Sequence, residues 1–109
     1  MKHKIVRFIP IRPSSAKEVI GREKVIAIIP EYRSLKLGYQ ELYDPVDDVI
    51  IPVNVIRISY CQLQHMSLSD IVLHGEKTYE EIIQYFDKNY NVKILADDIV
   101  TVIRFDFSG

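Results

Sequence analysis

Six cationic side chains, Arg12, Lys17, Arg22, Lys24, Arg33 and Lys36, fall in the first 38 residues and are the best candidates for a chemical task. Guanidinium and ammonium groups gathered in this way bind anions, above all phosphates, and supply most sequence-independent affinity for nucleic acid. Tyr32 stands beside Arg33. A ring next to a cation suits a groove that stacks a base; an exposed loop tyrosine is the plainer alternative. The charges of the chain are divided to match. Residues 1–38 hold nine basic and three acidic groups, a net of +6, and residues 39–109 hold five and twelve, a net of −7. The formal total of −1 is therefore a cancellation. It can mean two solvated half-surfaces or one local anion site.

Other chemistries are poorly supplied. His3, His65 and His74 are the only histidines, and none is paired at a ligand spacing, so structural or solvent roles are expected and no metal. Cys61 has His65 four residues away but follows an apolar strand, where a lone thiol is expected as a small buried hydrophobe. Asp47–Asp48 and Asp97–Asp98 are adjacent pairs in turns. Neighbouring side chains there point apart, so solvated turn charges are expected rather than shared acid–base work. The four glycines are not clustered into a phosphate loop, and no serine sits in a nucleophile elbow. No cofactor is implied.

The 109 residues suit one domain spanning 1–109, with 48% hydrophobic and 27% charged residues and a mean hydropathy of +0.02. These values exclude disordered, collagenous and coiled-coil classes. No apolar run approaches the roughly 20 residues of a membrane span, and the segment after the basic start, Ile5–Pro10, is too short for a signal peptide. One cysteine makes a reducing cytoplasm the expected compartment. Many isoleucines and tyrosines with no tryptophan are compatible with a thermophile or a virus of one.

The elements that must position these residues follow from pattern. Lys4 to Pro10 predicts a strand, Ala16 to Ile20 a short helix between a serine cap and Gly21, and Lys24 to Ile29 a strand covered on both faces. A polar connection, 31–38, leads to a short strand at Gln40–Tyr43 and an acidic turn. Val49 to Tyr60 predicts the longest strand, and Pro52 within it argues for an edge or a bulge. Ser67 opens a helix running to His74–Gly75, with Asp70 placed to help cap it. Thr78 caps another whose Tyr79, Ile82, Ile83, Phe86 and Tyr90 form one apolar stripe. Ile99 to Phe107 closes the chain with Ile99, Thr101, Ile103, Phe105 and Phe107 on one face. The expected fold class is α+β: a small curled sheet or β-barrel of about 5–6 strands with roughly 2–3 short flanking helices.

Three stretches together resemble a known family. They are Phe8 to Gly21 followed by Arg22-Glu23-Lys24-Val25-Ile26-Ala27-Ile28; Leu35-Lys36-Leu37-Gly38; and Ser67 through Gly75, then Thr78 to Phe86, ending in Val100 to Phe107. The layout is similar to the ASCH domain of the PUA-like superfamily. That resemblance implies a small β-barrel whose helices flank a cleft, and RNA or a modified nucleoside as ligand. The cleft would be lined by the turn after the first helix, where Arg22 and Lys24 match, although Glu23 lengthens the usual glycine-x-lysine step by one residue. Some ASCH proteins resemble amidohydrolases that cleave acetylated cytidine with a lysine, a threonine and a glutamate. Lys24 matches the lysine and Glu76 the glutamate, but Val25-Ile26-Ala27-Ile28 offers no hydroxyl for the threonine's role.

The expected function is an RNA-binding module whose basic cleft is formed by the first helix, the next strand and the 31–38 connection. Its binding residues would be Arg12, Lys17, Arg22, Lys24, Tyr32, Arg33 and Lys36. The alternatives are a small enzyme acting on a modified nucleoside through Lys24 and Glu76, which the missing hydroxyl disfavours, and a protein–protein adaptor, or a dimer built on the acidic face, using the apolar face of Val49 to Ile58 and the final strand. A monomer or weak homodimer with no membrane partner completes the expectation.

Overall fold

A computed structural model describes residues 8–10, 25–44 and 48–107. The expected helix at 16–20, and Arg12, Lys17, Arg22 and Lys24 with it, lie outside the described residues. Among the described residues, segments rich in β-branched and aromatic residues form five strands: β1 (Phe8–Pro10), β2 (Ile26–Ile29), β3 (Gly38–Asp44), β4 (Val49–Gln62) and β5 (Ile99–Phe107). A short 3-10 turn, Leu63–His65, and two helices, α1 (Leu68–His74) and α2 (Tyr79–Tyr90), fill the connection from β4 to β5. The strand order is β1-β3-β4-β5-β2. Each neighbouring pair among β3, β4, β5 and β2 is antiparallel, and β1 adds in parallel beside β3. The fold is α+β. The sheet ends at β1 and β2 and is open among the described residues, so closure into a barrel is not part of what they show.

Strand alternation sorts the apolar side chains into two cores. On one face Ala27 and Ile29 of β2, Leu42 of β3, Ile51, Val53 and Val55 of β4, and Ile103 and Phe105 of β5 form one buried cluster. Strands from both ends of the antiparallel sheet feed that cluster, as a curled sheet allows. On the other face Ile26, Ile28, Val100 and Val102 meet Ile71 of α1 and Ile82, Tyr85 and Phe86 of α2. Strand β2 is buried on both faces, as its unbroken apolar run predicts.

Both described helices start and stop where their sequence says. Ser67 Oγ accepts from the Asp70 N–H at 3.2 Å, and Gly75 ends α1 in a left-handed conformation, φ 115°. Thr78 Oγ1 accepts from the Glu81 N–H at 3.3 Å, while Lys77 N–H donates to Glu81 Oε1 at 2.6 Å. The predicted stripe lies in the core, with Ile82 and Phe86 buried and Tyr79, Ile83 and Tyr90 packed around them. Two expectations need correction. The Asp70 carboxylate does not cap α1; it turns inward, and its Oδ1 accepts from Arg104 Nε at 3.1 Å and from the guanidinium terminus at 2.6 Å. Strand β4 is central, between β3 and β5, and its irregularity falls between Val55 and Arg57 rather than at Pro52. Pro52 pairs with Glu41 of β3, and pairing with β5 begins only at Val53, so the proline occupies a stretch with one described neighbour strand.

Candidate functional site

The surface side of the site begins where β2 ends. Ile29 lies opposite Thr101 of β5, and Thr101 lies opposite Tyr60 of β4, so the three residues form one row across three strands. Pro30 cannot prolong the ladder. The chain then turns over the row and is tied to it. The fully buried Thr101 hydroxyl donates to the Glu31 carbonyl at 2.7 Å and accepts from the Arg33 N–H at 2.9 Å. Tyr60 Oη donates to the Arg33 carbonyl at 3.1 Å. Between these tethers Tyr32 sets its ring against Tyr60, centroids 4.7 Å apart and planes tilted by 35°. Both rings still face water, Tyr32 being 61% exposed and Tyr60 41%.

The nearby charges are partly balanced. An Arg33 guanidinium nitrogen lies 2.8 Å from Glu31 Oε2, with the arginine half-buried and the glutamate exposed. Lys36 is exposed, and its carbonyl accepts from Gln40 Nε2 at 3.0 Å. Tyr39 donates to Glu41 Oε2 at 2.7 Å. That hydrogen bond, foremost, raises the phenol's pKa above its ordinary value.

The second part of the site lies at the junction of α1 and α2. The positive φ of Gly75 reverses the chain, and its N–H donates to the Ile71 and Val72 carbonyls at 3.2 and 3.0 Å. Glu76, whose own N–H donates to the Ile71 carbonyl at 3.1 Å, is thereby folded back towards the helix it has just left. Glu76 Oε1 lies 2.6 Å from His74 Nδ1, with both side chains buried. The His74 ring meets Tyr85 edge-on at 5.3 Å, and Tyr85 meets Phe86 and Tyr90 the same way. A buried carboxylate and imidazole in contact can exchange a proton or orient a third group.

Of the predicted binding residues, Tyr32, Arg33 and Lys36 are described, and they share the 31–38 connection. Thr101 and Tyr60 are residues that sequence reasoning did not single out, and His74, expected in a structural or solvent role, is buried against Glu76. Only the alternation of β5 hinted at Thr101, by placing a hydroxyl on the same face as Ile103 and Phe105. Thr101 also bears on the missing nucleophile, since it presents a hydroxyl opposite β2. Both of its hydrogen bonds hold the connection, however, which leaves it no proton to give a base.

The remaining candidates take structural places. Cys61 packs towards the helix-side core, and burial first, with the Asp70 charge second, pushes its thiol pKa up. Asp98 Oδ2 accepts from the Leu95 N–H at 2.8 Å, and Asp48 Oδ1 accepts from Tyr43 Oη at 3.1 Å, so both serve turns. The apolar face of Val49 to Ile58 is largely spent inside the protein, with Ile51, Val53 and Val55 buried; Ile50 and Ile56 remain exposed. Among the described residues no three His, Cys, Asp or Glu side chains gather as metal ligands, and no helix is long and apolar enough to cross a membrane.

These elements define an α+β domain with an open, mainly antiparallel sheet and helices against one face. Among solved structures, protein EF3133 from Enterococcus faecalis V583, assigned to the DUF984 family, has a similar fold. It aligns with a TM-score of 0.63 and 15% sequence identity over 91% of this chain and 78% of its own. No family model matches the chain, and no curated protein does. A likeness at this identity speaks for the fold alone.

Proposed function

We propose that this protein is a nucleic-acid-binding module of the PUA-like, ASCH type, with RNA as its ligand and the 31–38 connection as one wall of its binding face. One observation carries the reading. Tyr32 and Arg33 stand at the surface on a backbone held by three hydrogen bonds to Thr101 and Tyr60. A ring and a cation fixed before the ligand arrives spare it the cost of ordering them. The basic excess of residues 1–38 supports the same reading, since Arg12, Lys17, Arg22 and Lys24 belong to it and would add phosphate contacts. The test is a fluorescence anisotropy titration with labelled RNA at low and raised salt. Affinity is expected to fall by roughly an order of magnitude or more between 50 and 200 mM salt. Arg33→Ala and Lys36→Ala are each expected to weaken binding a few-fold. Absence of binding to single-stranded and duplex RNA alike at low salt overturns the reading.

A second reading is favoured by a different observation. The buried Glu76–His74 pair is the kind of carboxylate site that a small amidohydrolase acting on a modified nucleoside would use, with Lys24 as its partner. It predicts release of acetate from an acetylated cytidine, abolished by Glu76→Gln and by Lys24→Ala. No acetate release by the unaltered protein removes it.

A further inference from the structure

We infer that Tyr32, backed by the Tyr60 ring against which it lies, forms an aromatic platform that stacks one unpaired base, so that the ligand is single-stranded RNA rather than duplex. The inference rests on the nucleic-acid reading above and adds Tyr60, which no sequence motif singled out, as a binding residue.

Its basis is the way the pair is built. Strands β4, β5 and β2 set Tyr60, Thr101 and Ile29 side by side, and the turn at Pro30 carries Tyr32 back across the row. Residues on both sides of Tyr32 are held by main-chain atoms: the Glu31 carbonyl by Thr101, the Arg33 N–H by Thr101 and the Arg33 carbonyl by Tyr60. The Tyr60 hydroxyl is thus spent on the connection, which sets the direction of its ring. Two aromatic rings in water would ordinarily gain by burial. Here the fold makes three hydrogen bonds around them and leaves one 61% and the other 41% exposed. A held and exposed π-surface suits a base, because every base has a π-face and stacking is tolerant of sequence. Bases in a duplex have their faces covered by their neighbours, whereas a single strand can splay one out. The Glu31 carboxylate beside Arg33 weakens the local positive field, so this part of the face depends more on stacking than on charge.

The chain contains no tryptophan, and Tyr32→Trp therefore places a single indole on the platform. Titration of this variant with a short single-stranded RNA is expected to quench its emission, with an affinity at least about tenfold above that for a blunt duplex of the same sequence. In the otherwise unaltered chain, Tyr60→Leu and Tyr32→Ala are each expected to cost about tenfold in single-strand affinity. Tyr60→Phe, which keeps the ring and loses only the hydrogen bond to Arg33, is expected to cost less. Urea unfolding of each variant separates loss of the platform from loss of the fold. Single-strand affinity that is unchanged in folded Tyr60→Leu and Tyr32→Ala overturns the platform and leaves the RNA module standing. Preference for duplex overturns it too, as does quenching by a proline-rich peptide but not by RNA. Failure of the unaltered protein to bind either form of RNA overturns the module and the platform together.

Discussion

The connection over Thr101 and the junction between α1 and α2 are the two places where polar side chains are arranged most deliberately, and they are built in opposite ways. At the connection the polar work is done by main-chain atoms and two hydroxyls, and the rings they position stay in water. At the junction the polar work is done by two ionisable side chains, His74 and Glu76, which the chain reversal at Gly75 draws out of water together. The first arrangement leaves surface free for something arriving from solvent. The second uses up surface, with both ionisable side chains buried beside the helix-side core. Restraint and burial are thus separable: three hydrogen bonds hold a connection whose Tyr32 ring stays in water.

The junction depends most on Glu76. Glu76→Ala deletes a buried hydrogen bond to His74 and the packing of the carboxylate, and is expected to lower the unfolding free energy by about 3 kcal/mol. Urea unfolding measures it. A change under about 0.5 kcal/mol would mean the pair does not support the fold, and would move the junction towards the enzymatic reading. Thr101→Val tests the other region with a smaller effect. The substitution keeps the shape and removes a hydroxyl that serves the Glu31 carbonyl and the Arg33 N–H. A loss of about 1.5 kcal/mol is expected, since water can reach part of what is exposed. The same variant should weaken RNA binding, because the backbone that holds Tyr32 is no longer fixed. Stability lost without affinity would show that the platform does not need its tether.

Those two regions were unequally legible in the sequence, and the reason is geometric. Strand β5 and helix α2 could be read residue by residue, because their apolar periods of two and 3.6 persist for a whole element and Thr78 marks a start. Tyr32 and Arg33 could be picked out by type, and Thr101 could be put on the correct face. That Tyr60 would meet the connection could not be read, because it sits 27 residues from Arg33 and the encounter depends on the register of three strands. The His74–Glu76 contact was hidden for another reason. Residues at i and i+2 do not face each other on a helix, and only the left-handed turn at Gly75 brings them together. A glycine after a helix was visible as a stop signal, but not as a device for folding a carboxylate back. Short helices and tight connections left a curled sheet and a small barrel open as alternatives, and the family likeness implies the barrel; the described sheet is open.

Glu31 lies against Arg33 at the edge of the platform, 2.8 Å away and well exposed. For an exposed pair the mutual stabilisation is small, so Glu31→Gln is expected to alter stability by less than about 0.5 kcal/mol. Its effect on an anionic ligand has a definite sign. Removing a negative charge beside the stacked base is expected to raise RNA affinity roughly two- to threefold at low salt, with the gain shrinking as salt screens it. Weaker binding in this variant would mean that the carboxylate orients Arg33 for the ligand rather than competing with it.

The smallest expected effect uses two adjacent residues of β4 as reporters. Tyr60 pairs with Thr101 and belongs to the platform, whereas Cys61 pairs with Val100 and packs with the helix-side core. Burial and the nearby Asp70 charge both favour the neutral thiol, so the thiol ionises above its ordinary range. Only the thiolate attacks a disulfide reagent. Reaction of the folded protein at pH 7.5 is therefore expected to be several-fold slower than that of the urea-unfolded chain, and to keep accelerating with pH beyond the point where a free thiol levels off. Saturating single-stranded RNA is expected to quench a tryptophan at position 32 and leave the Cys61 rate unchanged, because a ligand on the platform lies across the sheet from the thiol. Protection of Cys61 by RNA would place ligand on the helix side, and the division between an exposed binding region and a buried supporting one would have to be given up.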